Sequence, residues 1–299
     1  MTANLKIKKN ILLLICGVIV SIFSQNGWSA TNECRIINDQ VVPTDFDLGA
    51  GVDFTCWGQP DTQRVIFYKI AACKSALTQP TAATPLDLTS CTTLFENTAG
   101  AAVDVSVGIT NPLEGTFTFP PIGTYNFMYL EADPTFTYRQ AAEFNVGITT
   151  SGSVDPAGAI CWSNGTPATN FQTIRGNVSC GAALPAGMPA STAVVMNSFT
   201  EIAAVMSIND RTFPGGGVIS AAFIKTNKTL ATATAQSVAL AAGTRIAAWG
   251  RFPITVTANS NKNYVVSFTN TLGISAMLTS GTNMNGLSVG AFDINITAD

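Results

Sequence analysis

Side chains that could carry catalysis are sparse in this chain of 299 residues, and histidine is absent altogether. Histidine is the usual proton carrier near neutral pH and the commonest metal ligand. Without it, Ser–His and Cys–His nucleophile pairs and most zinc sites drop out of consideration. Carboxylates remain. Glu114, Glu131, Asp133 and Glu143 fall in or beside strand-like segments, and two acids facing across a cleft could hydrolyse a glycosidic bond without histidine. Acids on outward strand faces need no such role, and neither a Gly-x-Ser-x-Gly elbow nor a phosphate-binding glycine loop accompanies them. The chain therefore reads as non-enzymatic.

Asp45, Asp47 and Asp53 raise a different chemistry, because they are interleaved with Gly49 and Gly51. Oxygen ligands separated by chain-bending glycines are what a calcium loop requires. The sixth-position glycine and twelfth-position glutamate of an EF-hand are missing, so the plainer reading is a strand edge carrying solvated aspartates. No other cofactor is implied.

Cysteines carry a structural message. Residues 1–30 have the form of a secretory signal: Lys6, Lys8 and Lys9, then an apolar run from Ile11 to Phe23, then a small residue at Ala30. Cys16 lies inside that leader. The other six are Cys34, Cys56, Cys73, Cys91, Cys161 and Cys180. An even number in an exported chain is read as disulfides, in a periplasmic, extracellular or cell-surface setting. Pairing in sequence order (34 with 56, 73 with 91, 161 with 180) closes three short loops. The second would fasten the segment from Ser75 to Ser90, which holds Pro80 and Pro85.

The electrostatic balance excludes some partners. Lys+Arg number 15 against 18 Asp+Glu; without the three leader lysines the figures become 12 and 18, a net charge of −6. Such a chain lacks the basic footprint that nucleic acid requires. The leader's apolar run is shorter than the roughly 20 residues a helical span needs, and no membrane span is expected in the mature chain. Charged residues make up 11% of the chain, less than half the usual share of about 25%. A surface so poor in charge suits contact with copies of itself.

The elements that would position these residues are strands. Val52–Trp57, Arg64–Ile70, Val103–Val107 and Gly115–Phe119 are rich in β-branched and aromatic residues or alternate strictly. Thr124–Leu130 sets Tyr125, Phe127 and Tyr129 on one face and Met128 and Leu130 on the other, the pattern of a central strand. Later candidates are Val218–Lys225, Thr229–Leu240, Arg245–Ala258, Lys262–Thr269 and Leu287–Thr297, the last with a parity slip near Gly290-Ala291 that predicts a bulge. Ala193–Ile208 fits a strand or a helical stripe equally. The Gly- and Ser-rich stretch at 148–158 predicts a linker between two β-sandwiches, 31–147 and 159–299. Cys56-Trp57 followed by Cys73, and Cys161-Trp162 followed by Cys180, form a faint internal echo.

Pro121-Ile122-Gly123-Thr124-Tyr125 resembles the corner of immunoglobulin-like domains, where a tyrosine bonds back to the backbone just before a late strand. The resemblance implies an Ig-like sandwich for the first domain and says nothing of function. Phe127 stands where antibody-type domains place a cysteine, so their inter-sheet disulfide is not expected.

Together these features predict an all-β, disulfide-stapled protein. The expected role is a structural subunit of a surface fibre, pilus-like filament or matrix, joined to itself or to other surface proteins through strand edges. Thr31–Val42 is a candidate donated strand. The alternative is a secreted adhesin or glycan-binding module, with exposed aromatics such as Trp57, Trp162 or Trp249 as stacking platforms; Trp57 and Trp162, each beside a cysteine, fit packing over a disulfide better.

Overall fold

The computed structural model describes residues 36–37, 40–41, 54–58, 61–105, 113–150, 158–169, 176–195, 205–208, 219–231, 239–257, 264–268, 274–279, 283–289 and 294–298. The expected leader, Cys34 and the aspartates Asp45, Asp47 and Asp53 lie outside them, as does 232–238 of the expected strand Thr229–Leu240.

The described chain is built of strands and contains no α-helix. In order they are β1 (Ile36–Ile37), β2 (Gln40–Val41), β3 (Phe54–Gly58), β4 (Thr62–Cys73), β5 (Cys91–Val105), β6 (Thr116–Phe117), β7 (Gly123–Ala132) and β8 (Thr135–Arg139). Next come β9 (Ala141–Thr150), β10 (Gly158–Ser163), β11 (Val178–Gly181), β12 (Thr192–Val195), β13 (Val205–Ile208) and β14 (Ile219–Ile224). The last are β15 (Arg245–Val256), β16 (Tyr264–Phe268), β17 (Ile274–Thr279), β18 (Asn283–Val289) and β19 (Ile294–Ala298).

A nine-stranded sheet follows the order β12-β8-β4-β7-β15-β14-β13, with β5 on the other side of β4 and β6 outside β5. Its axis is β4, twelve residues long. Along one side of β4, β7 and β8 run on as a single interrupted strand, pairing Cys73 with Phe127 at one end and Thr62 with Arg139 at the other. The interruption is Asp133-Pro134. Proline offers no N–H to the ladder, and Asp133 Oδ1 instead accepts the Thr135 N–H at 2.8 Å. Beyond this break the outer neighbour changes from β15 to β12.

An eight-stranded sheet takes the order β1-β2-β9-β18-β17-β3, with β10 joined to β9 and β11 to β10; β16 and β19 form a separate pair. Within the candidate donated strand, Val41 of β2 lies in parallel register with Phe144 of the chain's own β9. Sheets do not divide at 148–158: β12 to β15, from beyond it, pair into the same sheet as β4, β5, β7 and β8.

Other expectations change as well. Leu287–Thr297 is not one bulged strand. Its two parities belong to β18 and β19, which lie in different sheets, so the slip marks a strand change. Both described ends of Ala193–Ile208 are extended, as β12 and β13. Gly115–Phe119 keeps only two residues in register, because Pro120-Pro121 follow. The Cys56-to-Cys73 half of the internal echo is no covalent link, since Cys73 is bonded to Cys91.

Strand β7 sits between β4 and β15, as its two-sided apolar pattern requires. On one face, Ala71, Cys73, Tyr129, Ala222, Ile224, Ala247 and Trp249 form a buried cluster. Alanines on the neighbouring strands leave room for the large Tyr129 and Trp249 rings. Leu77, Leu86 and Leu88 from the 74–90 connection cover that cluster. Backbone bonds hold the connection down: Leu86 N–H donates to Lys228 O at 3.1 Å and Leu230 N–H to Thr81 O at 2.9 Å. Residues on the opposite face, among them Ile70, Leu130, Phe223 and Ile246, are buried too.

Two disulfides fasten this framework. Cys73–Cys91 joins directly facing residues of β4 and β5 and closes the 74–90 strap at its base. Cys161–Cys180 joins facing residues of β10 and β11. Both are pairings expected from sequence order; Cys34 and the third pairing lie outside the described residues. Disulfides of this kind are compatible with an extracellular or periplasmic protein. Among the described residues no helix is long and apolar enough to cross a membrane.

Candidate functional site

Chemistry-bearing side chains converge at one place, the charged end of the strap-covered face. Glu131 lies on β7 directly opposite Lys69 of β4 and Ala247 of β15. Its side chain has no exposed surface. Lys228 Nζ approaches its two carboxylate oxygens at 2.5 and 2.7 Å, and an Arg245 guanidinium N–H donates to Oε1 at 2.7 Å. The Tyr129 hydroxyl donates to Oε2 at 3.2 Å. One buried carboxylate thus holds two cations and a hydroxyl.

The network continues outward. The Arg245 guanidinium lies over the Tyr68 ring at 3.7 Å, within cation–π range. Tyr68 in turn donates its hydroxyl to Asp133 Oδ2 at 2.9 Å. Burial, then the hydrogen bond to Asp133, pushes the Tyr68 phenol up to about 12. Burial and the neighbouring Glu131 carboxylate also push Tyr129 well above the ordinary phenol range. Both hydroxyls therefore stay protonated and act as donors at neutral pH.

Local structure explains how Lys228 arrives. Residues 225–229 form a three-residue hairpin loop, with Lys228 N–H donating to Lys225 O and Lys225 N–H to Thr229 O, both at 2.9 Å. In such loops the residue after the type I turn adopts the left-handed conformation, usually as glycine. Here Lys228 adopts it, with φ at 69°. A lysine carries steric strain there, and the ion pair with Glu131 supplies the offsetting attraction.

The four acids considered for hydrolysis have separate fates. Glu131 is enclosed by its cations. Asp133 accepts from Tyr68 and from the Thr135 backbone. Glu114 is exposed, its backbone carbonyl held by Asn97. Glu143 is exposed on β9 and accepts from Gln40 Nε2 at 2.6 Å. A general acid must offer its proton to a substrate oxygen; reaching Glu131 would mean displacing Lys228 or Arg245. No cluster of three or more potential metal ligands occurs among the described residues.

The two tryptophans whose side chains are described are both buried, Trp162 beside its neighbouring disulfide as its place next to a cysteine suggests. Trp249 is only 5% exposed and belongs to the strap-covered cluster, so it is a core side chain and not a sugar-stacking surface. Trp162 is buried with its ring close to Gly181, beside the Cys161–Cys180 bond. The Trp57 side chain lies outside the described residues.

Exposed apolar surface appears elsewhere, on the segment joining β6 to β7. Phe117 is 39% exposed, Phe119 49% and Ile122 69%. No charged residue occurs between Glu114 and Glu131. The segment is nevertheless firmly held. Thr118 N–H donates to Leu94 O at 3.0 Å, and the Phe117 ring packs on Phe95 with centroids 5.2 Å apart. The Tyr125 hydroxyl donates to Pro121 O at 2.9 Å, the corner bond anticipated from sequence. Gly115 is required here: a Cβ would come within 2.3 Å of the Phe95 ring.

Glu131 stands out in the sequence as a candidate acid, but its partners do not. Lys228 and Arg245 are 97 and 114 positions away, and nothing in their local sequence marks them. Comparison with known protein families, characterised proteins and solved structures returns no match for this chain.

Proposed function

We propose that the chain is an exported, non-enzymatic structural subunit that assembles with copies of itself at a cell surface. The observation that carries this reading is the uncharged Phe117–Ile122 segment, which holds apolar side chains in water on a rigid base. Contiguous exposed apolar surface on a folded protein marks an interaction site, and a pre-ordered segment loses little entropy on contact. It lies at the edge strand β6, where Pro120-Pro121 end the ladder after two residues. Side chains at this edge, more than its short backbone ladder, make the contact.

Further support comes from the low charge, the two disulfides and the neutralisation of Glu131. The Tyr125–Pro121 bond supports an Ig-like corner at the start of β7. A glycan-binding adhesin is the weaker reading, since the two candidate tryptophans whose side chains are described, Trp162 and Trp249, are buried.

Immunogold electron microscopy of the producing cells, with negative staining of the purified protein, tests the proposal. Labelled fibres or sheets on the surface, re-formed by the pure protein, are expected. Label confined to soluble material, with protein monomeric at every concentration, would overturn it.

A further inference from the structure

Among the described residues four buried side-chain polar atoms have no hydrogen-bond partner, and three of them belong to two glutamines: Nε2 and Oε1 of Gln63, and Oε1 of Gln140. Gln63 has no exposed surface and Gln140 is 9% exposed. Folded proteins pair nearly all such groups, with protein atoms or with ordered water. Three unmet groups in one place call for a partner.

Register brings the two residues together. Gln63 of β4 lies directly opposite Tyr138 of β8. Phe136, Tyr138 and Gln140 are the buried alternate residues of their stretch, so Gln140 shares the buried face with Gln63. It is the diagonal neighbour of Gln63, at about 7–8 Å, a separation that long side chains bridge. Tyr138, between them, is buried and its hydroxyl is hydrogen-bonded to Asn177. The charged neighbours Arg64 and Arg139 alternate to the exposed side.

Neither glutamine can withdraw. Gln63 is flanked by paired strands, opposite Val105 on one side and Tyr138 on the other. Gln140 is the single residue between β8 of the nine-stranded sheet and β9 of the eight-stranded one. Its N–H donates to Ser163 Oγ at 3.2 Å, and its carbonyl accepts the Ser163 N–H at 2.9 Å. Ser163 Oγ donates in turn to Ala190 O at 2.7 Å. The backbone is pinned, and the amide stays inside.

We propose that Gln63 and Gln140 form an internal binding site for ordered water, with at least one molecule bridging the two amides. The unmet groups are one amide donor and two carbonyl acceptors, all uncharged. An anion would meet two carbonyl oxygens of its own sign, a cation would meet the amide N–H groups, and an apolar molecule would serve none of them. Water both donates and accepts, and a buried water typically makes about three hydrogen bonds. The bridging molecule accepts from Gln63 Nε2 and donates to Gln140 Oε1, while a neighbouring water donates to Gln63 Oε1. The site ties β4 to the residue at which the chain leaves its sheet.

A crystal structure of the wild-type protein with its solvent resolved tests the proposal. Water is expected within hydrogen-bond distance of both Gln63 Nε2 and Gln140 Oε1. The two amides paired directly with one another, or each bonded to another protein group with no density between them, would overturn it. In solution, oxygen-17 magnetic relaxation dispersion counts the waters held for longer than the protein tumbles. Wild type should hold at least one more such water than a variant carrying Gln63→Leu and Gln140→Leu; an equal count would also overturn the proposal. Should that variant misfold by near-UV circular dichroism, Gln140→Met alone, which removes one end of the bridge, repeats the comparison.

Discussion

The Glu131 network and the Phe117–Ile122 segment invert the usual placement of polar and apolar groups, in opposite senses. At Glu131 the protein buries a carboxylate, and every oxygen of it is met by a cation or a hydroxyl. At Phe119 and Ile122 it leaves large apolar side chains in water, with a backbone too well anchored to fold them away. The first inversion is compensated within the chain and needs nothing more. The second has no such compensation among the described residues, and the proposed assembly would supply it. Mutations in the two regions should accordingly separate stability from assembly.

The largest effects belong to the buried network. Replacing Arg245 and Lys228 together by Met strands a buried carboxylate, and urea unfolding should show a loss of about 3–5 kcal/mol, with each single variant losing less because the other cation remains. Assembly of whatever folded protein remains should be unchanged. Trp249→Ala, in the apolar half of the same face, should cost a similar amount, about 3–5 kcal/mol by large-to-small truncation. Glycan affinity is not its readout.

Next comes the strap. Cys73→Ser with Cys91→Ser should cost about 3 kcal/mol, the chain-entropy value for a loop of this length. Unfolding with and without reductant checks this in the wild type. Freed at its base, the 74–90 strap should expose the Tyr129–Trp249 cluster to a fluorescent apolar dye before the sheet unfolds.

Alkaline pH probes the same network more gently. The folded Tyr68 phenol is raised to about 12 from an ordinary 10, and Tyr129 is raised as well. The folded state therefore holds these protons more tightly than the unfolded chain. The associated stability is complete below pH 10 and is lost as pH rises from 10 through 12. Urea midpoints measured across that interval should fall, and Tyr68→Phe should flatten the decline.

The smallest effects on stability belong to the exposed segment. Phe119→Asp should leave unfolding within about 0.5 kcal/mol of wild type while abolishing assembly. Tyr125→Phe removes one hydrogen bond, at about 1 kcal/mol, and by loosening the corner should weaken assembly without ending it.

What could be read in advance followed local rules. Alternation around Tyr125–Leu130 identified a central strand because both faces are buried, and sequence order paired Cys73 with Cys91 and Cys161 with Cys180 because each pair faces across adjacent strands. Gly-Thr-Tyr disclosed the corner bond because the tyrosine reaches only four residues back. The failures were non-local. The stretch at 148–158 looked like a boundary from its glycines and serines, yet β15 returns across it to pair with β7, and no local pattern records such pairings. Lys228 occupies a turn position that glycine would have advertised. Trp249 was misread for a similar reason: the strap that covers it is more than 150 residues earlier in the chain.

Sedimentation velocity of wild type and Phe119→Asp, run side by side over a wide concentration range, decides whether the exposed segment drives self-association. Wild-type boundaries should quicken with concentration into large assemblies, beside a variant that remains a single slow species of equal thermal stability. Identical monomeric boundaries for both proteins would contradict it.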